Sequence, residues 1–221
     1  MQVQCSSMPS NAAELSFIAT LYRSDPVYQF LLDLNARISM LHADVLALLY
    51  HFGKHAEAPM LELGPYLGGS SIAIARGLQA GSRPHSLVSV EVGGRYDHPT
   101  HATSDIVAGL RENLTKYAVA QHVHVVVGHS RDPSVVRQVS ECSKAKFECL
   151  VVDTDGNVEQ DLDLYRPMLA SRAFLVVDDY YSPGNAAKGA TTRVQLDRLE
   201  QRGEVIGFGV HGWGTWFGRF T

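Results

Sequence analysis

Basic clusters, long apolar runs and cysteines are what this sequence has least of. Its 221 residues carry 19 Lys and Arg against 23 Asp and Glu, a formal net charge of −4. No grouping of Lys and Arg offers phosphates a landing strip, which argues against nucleic acid as a partner. No window approaches the roughly 20 apolar residues of a membrane span. The opening "MQVQCSSMPSNAAELSF" has no basic segment followed by an apolar one. No membrane partner is therefore expected, and the expected location is cytoplasmic. The cysteines, Cys5, Cys142 and Cys149, form an odd set without metal-ligand spacing. That argues against a disulfide scaffold and for reduced thiols. Repeats and low-complexity tracts are lacking too. What is there is 45% apolar and 19% charged, a globular balance with length enough for one core. Residues 1–221 are read as a single domain.

Residues 11–52 read as helices broken at Asp25-Pro26 and near Asn35, with Leu31, Leu34, Ile38, Leu41, Val45 and Leu48 at helical spacing. Residues 1–54 thus form an N-terminal helical cap. Beyond it, "APMLEL" (58–63), "SLVSVEV" (86–92), "HVHVVVG" (122–128), "FECLVVD" (147–153) and "AFLVVDD" (173–179) are short buried-strand patterns separated by mostly helical stretches. Such alternation implies an α/β, doubly wound, mostly parallel sheet over 55–221. "EVIGFGVHGWGTWFGRF" (204–220) adds two strand-like runs around His211-Gly212, an antiparallel C-terminal hairpin.

The most informative stretch is "MLELGPYLGGSSIAIARGL" (60–78), a strand, a Gly-rich turn and a helix. Gly64 and Gly68 suit a backbone against which a ligand lies, and Ser70 or Ser71 is placed to cap the helix. A dinucleotide fingerprint needs G-x-G-x-x-G. This turn instead has three residues between its first two glycines and Glu62 two places before the first. A carboxylate there repels pyrophosphate and suits an ammonium or a sulfonium, so a nucleoside amino acid fits better. Glu91, at the tip of the next strand, is placed to accept hydrogen bonds from ribose hydroxyls.

A second constellation is "LVVDTDG" (150–156) with "LVVDDY" (175–180). Adjacent parallel strands bring Asp153, Asp178 and Asp179 to one edge, where their mutual repulsion calls for cations or protons. A hard divalent ion such as Mg²⁺ satisfies such a set, with Asp155 as an outer group. The alternative is that these acids cap turns and helices.

With Glu62, Gly64, Gly68, Ser70 and Glu91 in this order, the chain resembles the class I S-adenosylmethionine-dependent methyltransferases over about residues 55–220. The resemblance implies a Rossmann-like sheet of seven strands. It implies S-adenosylmethionine with its methionine portion near Glu62 and Gly64, Tyr66 and Ser70 over it, and His129 and Ser130 beside adenine. "VVDTDG … LVVDDY" resembles the metal-dependent O-methyltransferases of the catechol and caffeoyl-coenzyme-A type. "GHSRDPSVVRQV" adds a likeness to bacterial natural-product groups of the macrolide-sugar and cephalosporin-hydroxylase-like kinds. Both carry the metal ligands onto Asp153, Asp178 and Asp179, Asp153 also bordering the cofactor and the chemistry. They imply methyl transfer to a hydroxyl of a small natural-product, phenolic or sugar acceptor, with a homodimer as an option.

One departure stands out. Catechol-type relatives carry a lysine base three residues after the first metal Asp, and the bacterial groups often a histidine; this chain has Gly156. The base is then sought among His98, His101, His42 and His129, or the metal alone acidifies the acceptor. Tyr180 and Tyr181 are expected to wall the acceptor pocket, Trp213 and Trp216 to pack in the hairpin or to join that wall, and Lys188 to be a solvated cation or, as a loop lysine close to the acids, a base. Two rival readings stay open: a metal-independent N- or C-methyltransferase, and a non-methylating enzyme or binding protein on the same fold.

Overall fold

The computed structural model describes residues 8–83, 85–182 and 184–221; Cys5 lies outside them. Three helices open the chain, α1 (Ala12–Tyr22), α2 (Pro26–Arg37) and α3 (Ala43–Lys54). Side chains cap each one: Asn11, Asp25 and His42 accept from backbone N–H groups of the first turn. Alternation follows: β1 (Met60–Leu63), α4 (Gly69–Ala80), β2 (Leu87–Glu91), α5 (Ile106–Lys116), β3 (Val123–Val127), α6 (Pro133–Cys142), β4 (Phe147–Val152), α7 (Val158–Tyr165), β5 (Leu169–Val177) and α8 (Ala186–Gln201). The chain closes with β6 (Val205–His211) and β7 (Thr215–Phe220).

The seven strands form one sheet in the order β3-β2-β1-β4-β5-β7-β6. The first five are parallel, and β7 runs antiparallel to both β5 and β6. The order reverses direction at β1, so the crevice beyond the carboxyl ends of β1, β2 and β4 is where such a sheet takes a ligand.

Period-two alternation divides the apolar residues between two faces. Met60, Leu87, Cys149 and Val176 face a core shared with α3 and α4. Leu61, Val88, Val90, Leu150, Val152, Leu175 and Val177 face the other core, with Val139, Leu162 and Leu196. The N-terminal helices are part of the first core. A Cβ at Gly53 would stand 2.2 Å from the Ile74 carbonyl oxygen, and one at Gly77 2.1 Å from that of Tyr50. Glycine at both positions lets α3 and α4 touch backbone to backbone.

Two expectations need correcting. Helix α4 begins earlier than a serine cap would place it: Gly68, at φ 91°, is its N-cap, leaving Ser70 and Ser71 inside the first turn. Strand β5 starts at Leu169 rather than 173, continuing its pairing with β4 past an irregularity between Phe147 and Cys149. Among the described residues, no helix is long and apolar enough to cross a membrane.

Candidate functional site

Two adjoining clefts open at the carboxyl ends of the parallel strands. One, of about 520 Å³, is lined by Gly64, Tyr66, Glu91, Gly128, His129 and Arg131. The other, of about 680 Å³, is lined by His42, His98, His101, Asp178, Tyr181 and Trp213. Asp153 and Lys188 line both, standing where the clefts meet.

The turn after β1 builds the first cleft. Gly64 is at φ 86°, and a Cβ there would overlap the Asp153 carbonyl oxygen at 2.0 Å. Only glycine lets this turn lie against the β4 loop. Tyr66 follows at φ 52°, a strained value for an aromatic residue and one that tends to mark functional turns. Its N–H donates to Glu91 Oε2 at 3.0 Å, and Gly93 N–H donates to Oε1 at 2.9 Å. Glu91 is 4% exposed. Burial raises its pKa while these two N–H groups pull it back toward the ionised form. Each oxygen keeps a lone pair for a ligand hydroxyl.

Alternation along β1 turns Glu62 toward α4, beneath the turn, where it is buried. Its Oε2 accepts from Ser71 Oγ and, at 2.7 Å, from Ser89 Oγ, its register partner on β2. Burial raises its pKa, and its Oε1 has no partner. Glu62 thus braces the turn from beneath, with one carboxylate oxygen left without a partner. Gly68 is the N-cap of α4, and Ser70 is buried in its first turn.

On the opposite wall, His129 lines the first cleft and its Nδ1 accepts from Arg131 N–H at 3.2 Å. Ser130 lines it too, but its hydroxyl is committed to buried Asp161 at 2.9 Å. Asp161 also accepts from Thr154 at 2.8 Å, and Tyr165 donates to the Ser130 carbonyl at 2.6 Å. This network ties the loops after β3 and β4 to α7. Arg131 is ion-paired to Asp155. Burial alone would raise the Asp155 carboxyl, but the guanidinium holds it down at about 2. Asp155 thus stands at the first cleft's rim.

The strand-end acids converge. Asp153, Asp178 and Asp179 offer carboxylate oxygens within 4.8 Å of one another. Sheet pairing sets them there, since Asp153 N–H donates to Leu63 and Asp178 N–H to Val152. Asp179 holds φ 61°, a left-handed value that Asp tolerates better than most residues. Asp178 accepts from the buried Thr215 hydroxyl at 2.5 Å. Burial, then the charge of Asp153, pushes the Asp178 carboxyl up to about 7. Three hard oxygen donors have the chemistry a divalent ion wants. Their centre, however, is engaged: Lys188 Nζ lies 2.9 Å from Asp153 Oδ1 and 2.5 Å from Asp179 Oδ2. As built, two of the three acids hold an ammonium.

Lys188 is thus no solvated cation; its side chain is 17% exposed. Burial alone would lower its pKa, but Asp153 and Asp179 hold it above the ordinary lysine value. Tyr180 turns away from the acids, donating to Asp197 at 2.7 Å, whereas Tyr181 reaches the second cleft. Trp216 is buried in β7, and exposed Trp213 packs edge-on against His42. His98 and His101 line the second cleft with ring centroids 5.4 Å apart. Burial, then the neighbouring His98, lowers the His101 pKa. Its Nδ1 lies 2.7 Å from the Thr100 hydroxyl.

Sequence reasoning passed over Arg131, Asp161 and Thr215, none of which stands in a strand-end pattern. For Lys188 there was a signal: a cation in the first turn of α8, where the helix dipole disfavours it unless acids lie ahead.

A family model described as a methyltransferase domain matches residues 61–180, a span holding Glu62, Glu91, Asp153, Asp178 and Asp179. No curated protein matches the chain. Among solved structures, the chain is similar to a Staphylococcus aureus protein provisionally assigned as a caffeoyl-CoA O-methyltransferase. That match has TM-score 0.66 and 12% identity over 95% of this chain and 100% of that one. It is similar to the O-methyltransferase TomG of Streptomyces achromogenes, in complex with S-adenosylmethionine, at TM-score 0.61 and 19% identity over 96% of each chain. A third is the S-adenosylhomocysteine-bound Podospora anserina methyltransferase PaMTH1, at TM-score 0.63 and 15% identity over 98% and 99%. At these identities the likeness speaks for the fold.

Proposed function

The chain belongs to the methyltransferase-domain family, and from that premise we propose that it transfers a methyl group from S-adenosylmethionine to a hydroxyl oxygen of a small molecule. The observation that carries the reading is the Glu91 carboxylate, fixed by two backbone N–H groups at the wall of a crevice beyond the switch point of the sheet. S-adenosylmethionine supplies an electrophilic methyl carbon on a sulfonium centre. The residues of the chain do the rest. Glu91 holds the two ribose hydroxyls with its remaining lone pairs. The backbone at Gly64 and Gly128 lets the ligand lie close, and His129, with the Arg131–Asp155 pair, borders the base.

The second cleft takes the acceptor. Tyr181 and Trp213 give it apolar walls, and His98 and His101 give it polar anchors. Holding the acceptor oxygen against the methyl carbon is catalysis mainly by proximity. The oxygen gains the methyl and loses its proton. His101 is the proposed base, because its lowered pKa keeps the ring neutral and able to accept that proton. The metal-assisted form of the reaction has its three carboxylates in place, but an ion there must first displace Lys188. No step above is routed through one. The acceptor class, a natural-product, phenolic or sugar hydroxyl, follows the resemblance and the name of TomG as a tomaymycin-synthesis enzyme.

The test is a calorimetric titration with S-adenosylmethionine followed by transfer of a labelled methyl group to a panel of phenols and sugars. Saturable binding with a labelled methyl ether is expected. A folded chain that does not bind S-adenosylmethionine overturns the reading, and label found on nitrogen or carbon overturns the choice of nucleophile.

A further inference from the structure

The acidic cluster where the two clefts meet contains a cation of its own. Lys188 extends from the first turn of α8 and places its ammonium between the two strand tips, 2.9 Å from Asp153 Oδ1 and 2.5 Å from Asp179 Oδ2. These are contact distances for charge-assisted hydrogen bonds. A divalent ion shared by the same carboxylates would have to sit in the space this ammonium fills.

Two glycines seat the lysine. Gly156 is at φ 89°, and a Cβ there would meet Lys188 Cγ and Thr192 Oγ1 at 3.1 Å each. A side chain at 156 would press on the path of the lysine stem. A Cβ at Gly189 would stand 3.0 Å from the Ser182 nitrogen and 3.3 Å from the Asp179 carbonyl oxygen. A glycine at 189 therefore lets α8 approach the loop that carries Asp179. The third acid is served separately, by the Thr215 hydroxyl at 2.5 Å. Position 156, where the sequence departs from the metal-dependent pattern, thus lies beside Lys188.

We propose that Lys188 is the resident cation of the Asp153–Asp178–Asp179 cluster, taking the place of a divalent ion, so that this protein works without a metal. The methyl-transfer reading supplies the role of the cluster: the ammonium lines both clefts and offers an acceptor oxygen a hydrogen-bond donor in place of a Lewis acid. The side chain acts here as a positioning cation.

The experiment is direct binding of Mn²⁺ and Mg²⁺ to the full chain, by calorimetry and by the paramagnetic resonance signal of free Mn²⁺. Wild type, Lys188→Met and the double variant Lys188→Met/Asp179→Asn are compared. Wild type is expected to show no saturable site at millimolar ion and no change in melting temperature with Mn²⁺. Lys188→Met is expected to melt lower, to recover with Mn²⁺ and to bind it at least about tenfold more tightly; the second substitution should abolish that gain. Saturable binding to wild type that is lost in the single variant Asp179→Asn, measured alongside, overturns the proposal, and this measurement stands even if Lys188→Met fails to fold. A Lys188→Met protein that folds, melts like wild type and ignores Mn²⁺ overturns it as well. S-adenosylmethionine binding on the same samples tests the donor reading separately, since the ribose carboxylate Glu91 is not among these contacts.

Discussion

Replacing Glu91 by Gln tests the cofactor assignment most sharply. The two oxygens of Glu91 are not equivalent to those of a free carboxylate, because each already accepts one backbone N–H, from Tyr66 at 3.0 Å and from Gly93 at 2.9 Å. A glutamine keeps one acceptor and turns an NH₂ group toward the other N–H. Two donors then face each other in a position only 4% exposed. Leaving a buried N–H without a partner costs about 1–3 kcal/mol of stability. The same amide also presents a donor to a ribose hydroxyl that had an ionised acceptor. Losing a hydrogen bond to a charged group costs about 1.5–3 kcal/mol, which is roughly a tenfold to 150-fold loss of affinity. The expected result is a folded variant with a lowered urea midpoint and S-adenosylhomocysteine binding weakened by that factor in calorimetry. A variant with the wild-type midpoint and an affinity within about twofold of wild type refutes both the hydrogen-bond reading of Glu91 and its place beside ribose.

Two further predictions concern the acids and the turn beneath them. Gly156→Ala should lower the stability by about 1–2 kcal/mol, the usual cost of a left-handed backbone for a residue with a Cβ, seen as a lower urea midpoint. The new methyl also meets Lys188 and Thr192, and an unchanged midpoint counts against this packing. Asp178 is raised to about 7 by burial and Asp153, so between the ordinary carboxyl range and that value the folded chain holds a proton that the unfolded chain has released. Stability therefore falls as pH climbs through that window. Asp178→Asn should flatten the slope in thermal melts taken across it; a slope that survives the substitution shows that the titrating group lies elsewhere.

The fold was legible because the strands here are short, apolar and bounded by turns. "SLVSVEV" and "HVHVVVG" bracket β2 and β3 to within one residue at each end, and the Asp25-Pro26 break falls where α1 gives way to α2. The misplaced boundaries have local causes. Ser70 and Ser71 look like caps, but Gly68 reaches the left-handed conformation that begins α4 without one. Within Leu169–Arg172 of β5, Ser171 and Arg172 are exposed because they fall in the irregularity between the Phe147–Leu169 and Cys149–Phe174 pairs, which interrupts the apolar pattern.

The site was legible in position and not in charge balance. Parallel register puts residues at the same height on neighbouring strands, so runs ending in Asp153 and in Asp178-Asp179 must meet once β4 and β5 are adjacent. Register says nothing of which groups a residue just inside a strand meets, and Glu62 is an example: two positions before the glycine turn, its carboxylate accepts from Ser71 and Ser89. Nor does register reveal which helix crosses the strand tips. Lys188 lies 35 residues beyond Asp153, on an element whose approach depends on the absence of side chains at 156 and 189. A lysine in a helix's first turn is an electrostatic debt in isolation, and that local conflict was the readable sign that something acidic lay in front of it. Gly156 marks where a base is missing from the familiar pattern. In the folded chain the same position lies against the stem of Lys188, so the missing side chain at 156 is what makes room for that lysine.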